Sequence, residues 1–112
     1  MDIKTLTEKY NLSEIDKKLG DNFWKPVDVA KINDWVLRAA AFKGKFHWHK
    51  HKMDEFFLIY KGEIVIDTEN GSIELGTGEG TVISKGVKHR PRAVKRAVVL
   101  LLEPERVDTK GD

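Results

Sequence analysis

The 112-residue sequence contains no cysteine, which excludes disulfide staples, thiolate metal sites and a cysteine nucleophile together. It also lacks an excess of one charge: 20 basic and 18 acidic residues leave a formal +2, without the concentrated basic footprint that a nucleic-acid partner calls for. Long apolar runs are missing too, and no stretch approaches the roughly 18 residues of a membrane-spanning helix. The first residues, Met1 to Lys9, have no apolar core of the signal-peptide kind, so a cytoplasmic location with no membrane partner is expected. Histidine is scarce but unevenly placed. Three of the four, His47, His49 and His51, fall within five positions, and His89 stands alone.

What is present supports one folded domain. With 40% hydrophobic and 34% charged residues, the chain can bury an interior, and its length suits a single core. Residues 1–20 carry apolar side chains at Ile3, Leu6, Tyr10, Leu12, Ile15 and Leu19, spaced for two short amphipathic turns or an extended arm. Thr5 with Glu8 and Ser13 with Asp16 resemble capping pairs, and Gly20 is a natural stop. Residues 21–106 read as the domain proper and 107–112 as a polar tail.

Within that domain, short strand-like segments run from Val27 to Ile32, Trp35 to Phe42, Lys45 to His51, Phe56 to Tyr60, Glu63 to Thr68, Ser72 to Leu75, Thr81 to Ser84 and Ala97 to Glu103. Turn chemistry separates them at Asn33-Asp34, Lys61-Gly62, Asn70-Gly71, Gly76-Thr77-Gly78 and Lys85-Gly86, and Lys95-Arg96 reads as a further turn. This spacing predicts an all-β antiparallel sandwich or barrel. Phe56 to Tyr60 and Val98 to Leu102 are apolar on both faces, so something must cover their outer side. Either the N-terminal segment or a second subunit does so, and a homodimer is expected.

On a strand, His47, His49 and His51 project from one face, about 6.6 Å apart along the backbone. From that separation two imidazoles can converge on one ion held at about 2.1 Å. Glu55 would lie about 13 Å beyond His51 on a straight strand, so it joins the site only if Lys52-Met53-Asp54 turns the chain back. An inward carboxylate heading the apolar strand is costly unless paired or coordinated.

These residues carry a resemblance. His49-x-His51-(x3)-Glu55-(x6)-Gly62 matches the first motif of the cupin superfamily, and Gly78-(x5)-Ser84-x-Gly86-(x2)-His89 is similar to the second. The likeness covers residues 43 to 104 and extends to small single-domain cupins after Gly20. Ser84 stands where the family usually has Pro, and Ala93 where it usually has Asn. The resemblance implies a jelly-roll β-barrel, often dimeric, with His49, His51, Glu55 and His89 as ligands of a divalent transition metal. Three imidazoles and one carboxylate suit Fe, Mn, Ni, Zn or Cu without choosing among them.

His47 has no counterpart in the motif and reads as an extra ligand, a proton carrier with Glu55, a substrate contact or a solvated rim residue. Arg90, flanked by Lys88 and Arg92, could pair with an anionic substrate or lie on a solvated face. Trp24, Trp35 and Trp48 read as packing residues. The expected function is a metal-binding cupin that binds, and could transform, a polar anionic small molecule by dioxygenase, decarboxylase or sugar-phosphate isomerase chemistry. The alternatives are a non-enzymatic ligand-binding or sensor module and a dimeric structural protein with remnant histidines.

Overall fold

A computed structural model describes residues 7–106 and 111. The expected turn at Thr5 and most of the expected polar tail lie outside these residues. One helix, α1 (Leu12–Leu19), precedes strands β1 (Val27–Ile32), β2 (Trp35–Lys45), β3 (Glu55–Lys61), β4 (Ile64–Thr68), β5 (Gly71–Leu75), β6 (Gly80–Ile83) and β7 (His89–Pro104). The helix is capped by Asn11, whose side chain accepts from the Glu14 N–H. Ser13, expected as the cap, instead donates its hydroxyl to Asn11. No described helix is long and apolar enough to cross a membrane.

All pairings between these strands are antiparallel, in the order β1-β2-β7-β3-β6, with β4 bridging β5 and β7. This is the antiparallel all-β architecture expected from the turn spacing and the jelly roll implied by the cupin resemblance, wrapped into a barrel shape whose described ladder does not close. The wrapping is concentrated in β7. Its first residues, His89 to Arg92, pair with β4, and Val98 to Leu102 pair with β3, while β2 runs beside both parts. Between them the ladder slips: Ala93 opposes Gly44 and Ala97 opposes Phe42, so the three residues Val94 to Arg96 face one residue of β2. Gly44 takes φ 81° at that point. A bulge of this size bends a strand sharply, and the turn expected at Lys95-Arg96 is thus a corner inside one strand.

Two apolar layers result. Inside the wrap, Phe42, Phe57, Ile59, Ile64, Ile66, Leu75, Val99 and Leu101 are all buried. On the outer face, Leu19 is buried against Ala39, Ala41, Val98 and Leu100, with Leu12 and Ile15 beside it. The N-terminal helix is therefore one cover of the doubly apolar strands. Arg96 fastens it, donating to the Gly20 and Asp16 carbonyls at 2.9 and 3.0 Å and pairing with the Asp16 carboxylate at 2.6 Å. Gly62, the glycine of the first motif, has φ 91°, and a Cβ there would sit 3.0 Å from the Arg96 carbonyl; any side chain would push the corner outward.

Candidate metal centre

The strand expected from Lys45 to His51 ends at Lys45. Beyond it only His49 makes a bridge, exchanging both backbone hydrogen bonds with His89 at 2.8 and 2.9 Å. That reciprocal pair brings the two imidazoles to a centroid separation of 4.3 Å. The next segment is pinned to the turn before β7, since the His51 carbonyl accepts from Gly86 and Asp54 accepts from the Lys85 N–H, both at 2.8 Å. The chain therefore reverses at Lys52 to Asp54 as Glu55 requires. Glu55 Oε1 ends 3.6 Å from His51 Nε2 and 3.7 Å from His89 Nε2.

His49, His51, Glu55 and His89 are all buried. Potential ligand atoms of the three imidazoles lie within 4.8 Å of one another, near the spacing of donors around an ion held at about 2.1 Å. Two tautomers are set by the backbone: His49 Nδ1 donates to the His47 carbonyl and His89 Nδ1 to the Val87 carbonyl, each at 2.9 Å. Each leaves its Nε2 as a lone-pair donor, the arrangement that orients metal-bound histidines. His89 Nε2 is buried with no hydrogen-bond partner among the described residues, an arrangement that coordination would satisfy. Burial, reinforced by His89 and His51 and opposed by the His47 carbonyl, pushes His49 down to about 4, so its ring is neutral and able to ligate. The group can hold a metal ion.

Behind Glu55 lies a residue that the motif does not include. Glu103 is wholly buried, and Arg38 donates to its Oε1 at 2.6 Å. Burial and the adjacent Glu55 push Glu103 up to about 9, against the pull of Arg38. Burial would also raise Glu55, but the neighbouring His89, Glu103 and His51 side chains hold it below the ordinary range. One carboxyl of the pair is charged and the other neutral, the expected outcome when two acids share a site. The sequence signal for Glu103 was a single acid closing an apolar run.

The remaining candidates lie outside the cluster. The His47 ring is exposed, 5.2 Å between centroids from His49. Its carbonyl accepts from His49 Nδ1 at 2.9 Å. Arg90 points away from the site, being one residue out of phase with His89 on β7. It pairs with Asp67 at 2.9 Å and lies over the Trp48 ring at 5.0 Å. Asp67 also holds Arg92 at 3.0 Å. Trp24 borders the centre, a role beyond the packing expected for it. It has φ 61°, a left-handed conformation that costs a bulky residue about 1–3 kcal/mol. A hollow of about 890 Å³ elsewhere in the molecule carries none of the four histidines on its walls.

A small antiparallel jelly roll with inward histidines and a carboxylate at one end defines the class: a single-domain β-barrel protein built around an interior site. Residues 35–103 match the cupin domain model, and the chain belongs to that family. It is 34% identical over 83 residues to the uncharacterized protein YdbB of Bacillus subtilis (strain 168), covering 72% of this chain and 74% of that one. A cupin-2 domain protein of Shewanella frigidimarina superposes with a TM-score of 0.81 at 30% identity, over 93% of this chain and all of the other. A hydroquinone 1,2-dioxygenase from Sphingomonas sp. TTNP3, solved with 4-hydroxybenzoate bound, gives 0.80 at 20% identity, over 91% of this chain but 33% of its own length. That last likeness is one of fold.

Proposed function

We propose that this protein is a metal-dependent cupin that binds a small molecule through a polar, anionic head group and transforms it, with His49, His51, Glu55 and His89 as the metal ligands. The observation that carries this reading is the buried His89 Nε2, turned inward by the Val87 carbonyl and facing Glu55 and the other imidazoles. A divalent transition metal held there would supply Lewis-acid or redox chemistry. The chain's own part is to present His49 neutral, to hold His49 and His89 each in one tautomer, and to keep Glu55 ionised beside Glu103. Glu55 accepts a proton at its carboxylate. His47, exposed at the rim, carries protons between Glu55 and solvent.

The test is a His49→Ala/His51→Ala variant. Wild-type protein dialysed against a limiting divalent metal is expected to retain about one ion per chain by elemental analysis. The double variant should retain none while keeping its far-ultraviolet dichroism. Full occupancy in the variant overturns the assignment.

One observation favours a second reading, a ligand-binding module without turnover: the space beside the site is narrow, about 30 Å³, with room for little more than water. A metal-loaded protein that binds small chelators yet turns over no candidate substrate would support it. A two-chain assembly is also part of our reading. Half-buried Phe56 and Leu102 on the doubly apolar strands, and the 55% exposed Val82 opposite Phe56 on β6, lie outside the cluster that α1 covers, and a sedimentation coefficient of a 25 kDa-class particle, about twice the 12.8 kDa chain, would support it.

A further inference from the structure

The compartment onto which His49 and Glu55 open is walled by rings. Trp24, Phe42, Phe46 and Phe57 line it together with Pro91 and Leu101, and no lysine or arginine is among its walls. Trp24 stacks on Phe42 at 4.3 Å and on Phe46 at 5.0 Å between centroids, each pair inclined by 25°. Phe46 in turn meets His49 edge-on at 5.2 Å. The aromatic stack therefore runs continuously from the loop before β1 to a ligand candidate.

Trp24 is held in this stack against its backbone preference. Its N–H donates to the Ala41 carbonyl and its indole N–H to the Lys43 carbonyl, both at 2.9 Å. These bonds accompany the left-handed φ and tie the indole to β2 at the edge of the compartment. Residues held in strained conformations by their surroundings recur at ligand clamps. Trp24 and Phe46 both lie outside the strands and are only partly buried, so they are the walls best able to separate when something larger than water enters.

Resting on the metal-site reading above, we infer that the ligand is a small aromatic compound with oxygen donors: its flat body lies between Trp24, Phe46 and Phe57, its oxygens reach the His49 and Glu55 end, and Trp24 sets its size and shape. Sugars and nucleotides are poorly matched, because the walls offer them apolar faces in place of hydrogen-bonding groups.

Two hydroxamates isolate the pocket from the metal. Benzohydroxamate and acetohydroxamate carry the same oxygen-chelating head, one with a phenyl and the other with a methyl body. Titrated into the cobalt(II)-loaded protein and followed by the visible absorption of the ion, benzohydroxamate is expected to bind about tenfold more tightly or better. In Trp24→Ala that ratio should fall to within about threefold, acetohydroxamate binding being unchanged. Phe46→Leu, on the facing wall, should lower it likewise and serves if Trp24→Ala does not fold. Equal binding of the two hydroxamates by the wild type, or a ratio unmoved by either substitution, overturns the inference. Wild-type protein that takes up no cobalt overturns the metal-site reading and this one with it, whereas cobalt-loaded protein indifferent to the phenyl group overturns this one alone.

Discussion

Glu103 is a carboxyl group with no exposed surface, and burying such a group without partners would be prohibitive. Arg38 makes it tolerable from β2, donating to Glu103 at 2.6 Å while its other nitrogens reach Asp28 and the Glu105 carbonyl. Arg38→Met leaves the acid buried beside Glu55 without its cation, and should lower stability by about 2–3 kcal/mol in urea unfolding. Glu103→Gln keeps the acceptor for Arg38 and a donor for Glu55, and should cost less than about 1.5 kcal/mol. Equal losses in the two variants would show that Arg38 acts through packing alone. At this scale the sequence was informative where chemistry is local. His49 and His51 could be paired by two-residue alternation, and Glu55 and His89 could be named with them through the resemblance to the two cupin motifs. Glu103 could not, since its partner lies 65 positions away. Nor could Trp24, whose importance lies in a backbone angle that no residue type reveals. His47 was placed with its neighbours by alternation, and the early end of β2 leaves its ring outside.

Among the elements, α1 and the β4–β7 pair carry the clearest consequences. Leu19, 2% exposed, is the helix residue driven deepest into the outer layer. Leu19→Ala should cost about 2–4 kcal/mol in thermal or urea unfolding. Losing less than about 1 kcal/mol would mean that the helix rests on the sheet without stabilising it. On the other side, Arg92, Ser72 and Arg90, in that order, hold the Asp67 carboxyl far below its ordinary value of 3.8. A carboxylate depressed in the folded state adds stability that is complete above the ordinary value and lost as the pH falls below it. The difference in melting temperature between wild type and Asp67→Asn should therefore be largest near neutrality and shrink below about pH 4. A difference constant from pH 7 to pH 2 would contradict the ion cluster. The strand periods and hairpin turns were legible because each depends on a few adjacent residues. The corner at Val94 to Arg96 was read as a plain turn, because an irregularity inside a ladder is defined by the opposite strand.

For the whole molecule, the antiparallel β architecture followed from regular turn spacing and the jelly roll from the resemblance to the cupin motifs, but the way it encloses a site depends on β7. Glu55 sits against both ends of that strand, 3.7 Å from His89 and near enough to Glu103 to shift its ionisation. Fourteen straight residues would part those ends by about 46 Å, so the bend at Gly44 and Val94 to Arg96 creates the site as much as the ligands do. Arg96, which ties that bend to α1, lies far from the imidazoles in the sequence of contacts. Arg96→Ala should nevertheless weaken metal retention on dialysis by several-fold, in step with a lower melting temperature. Unchanged retention with a lowered melting temperature would separate the corner from the centre.

The same strand has a consequence for how the protein is made. β2 leaves the ribosome long before β7, yet nearly every residue of β2 waits for a partner between Arg92 and Pro104, while β3 and β4 wait for the same strand. Until synthesis is almost finished, β2, β3 and β4 each keep one edge unpaired, because β1, β6 and β5 cover only the other edge. Such long-range pairing folds slowly, in milliseconds to seconds. In that interval the apolar strands Phe56 to Tyr60 and Val36 to Phe42 are exposed together. A shape that conceals its site so well in the finished protein therefore leaves the growing chain open to aggregation, and holding that chain apart until β7 arrives becomes a task for the cell's chaperones.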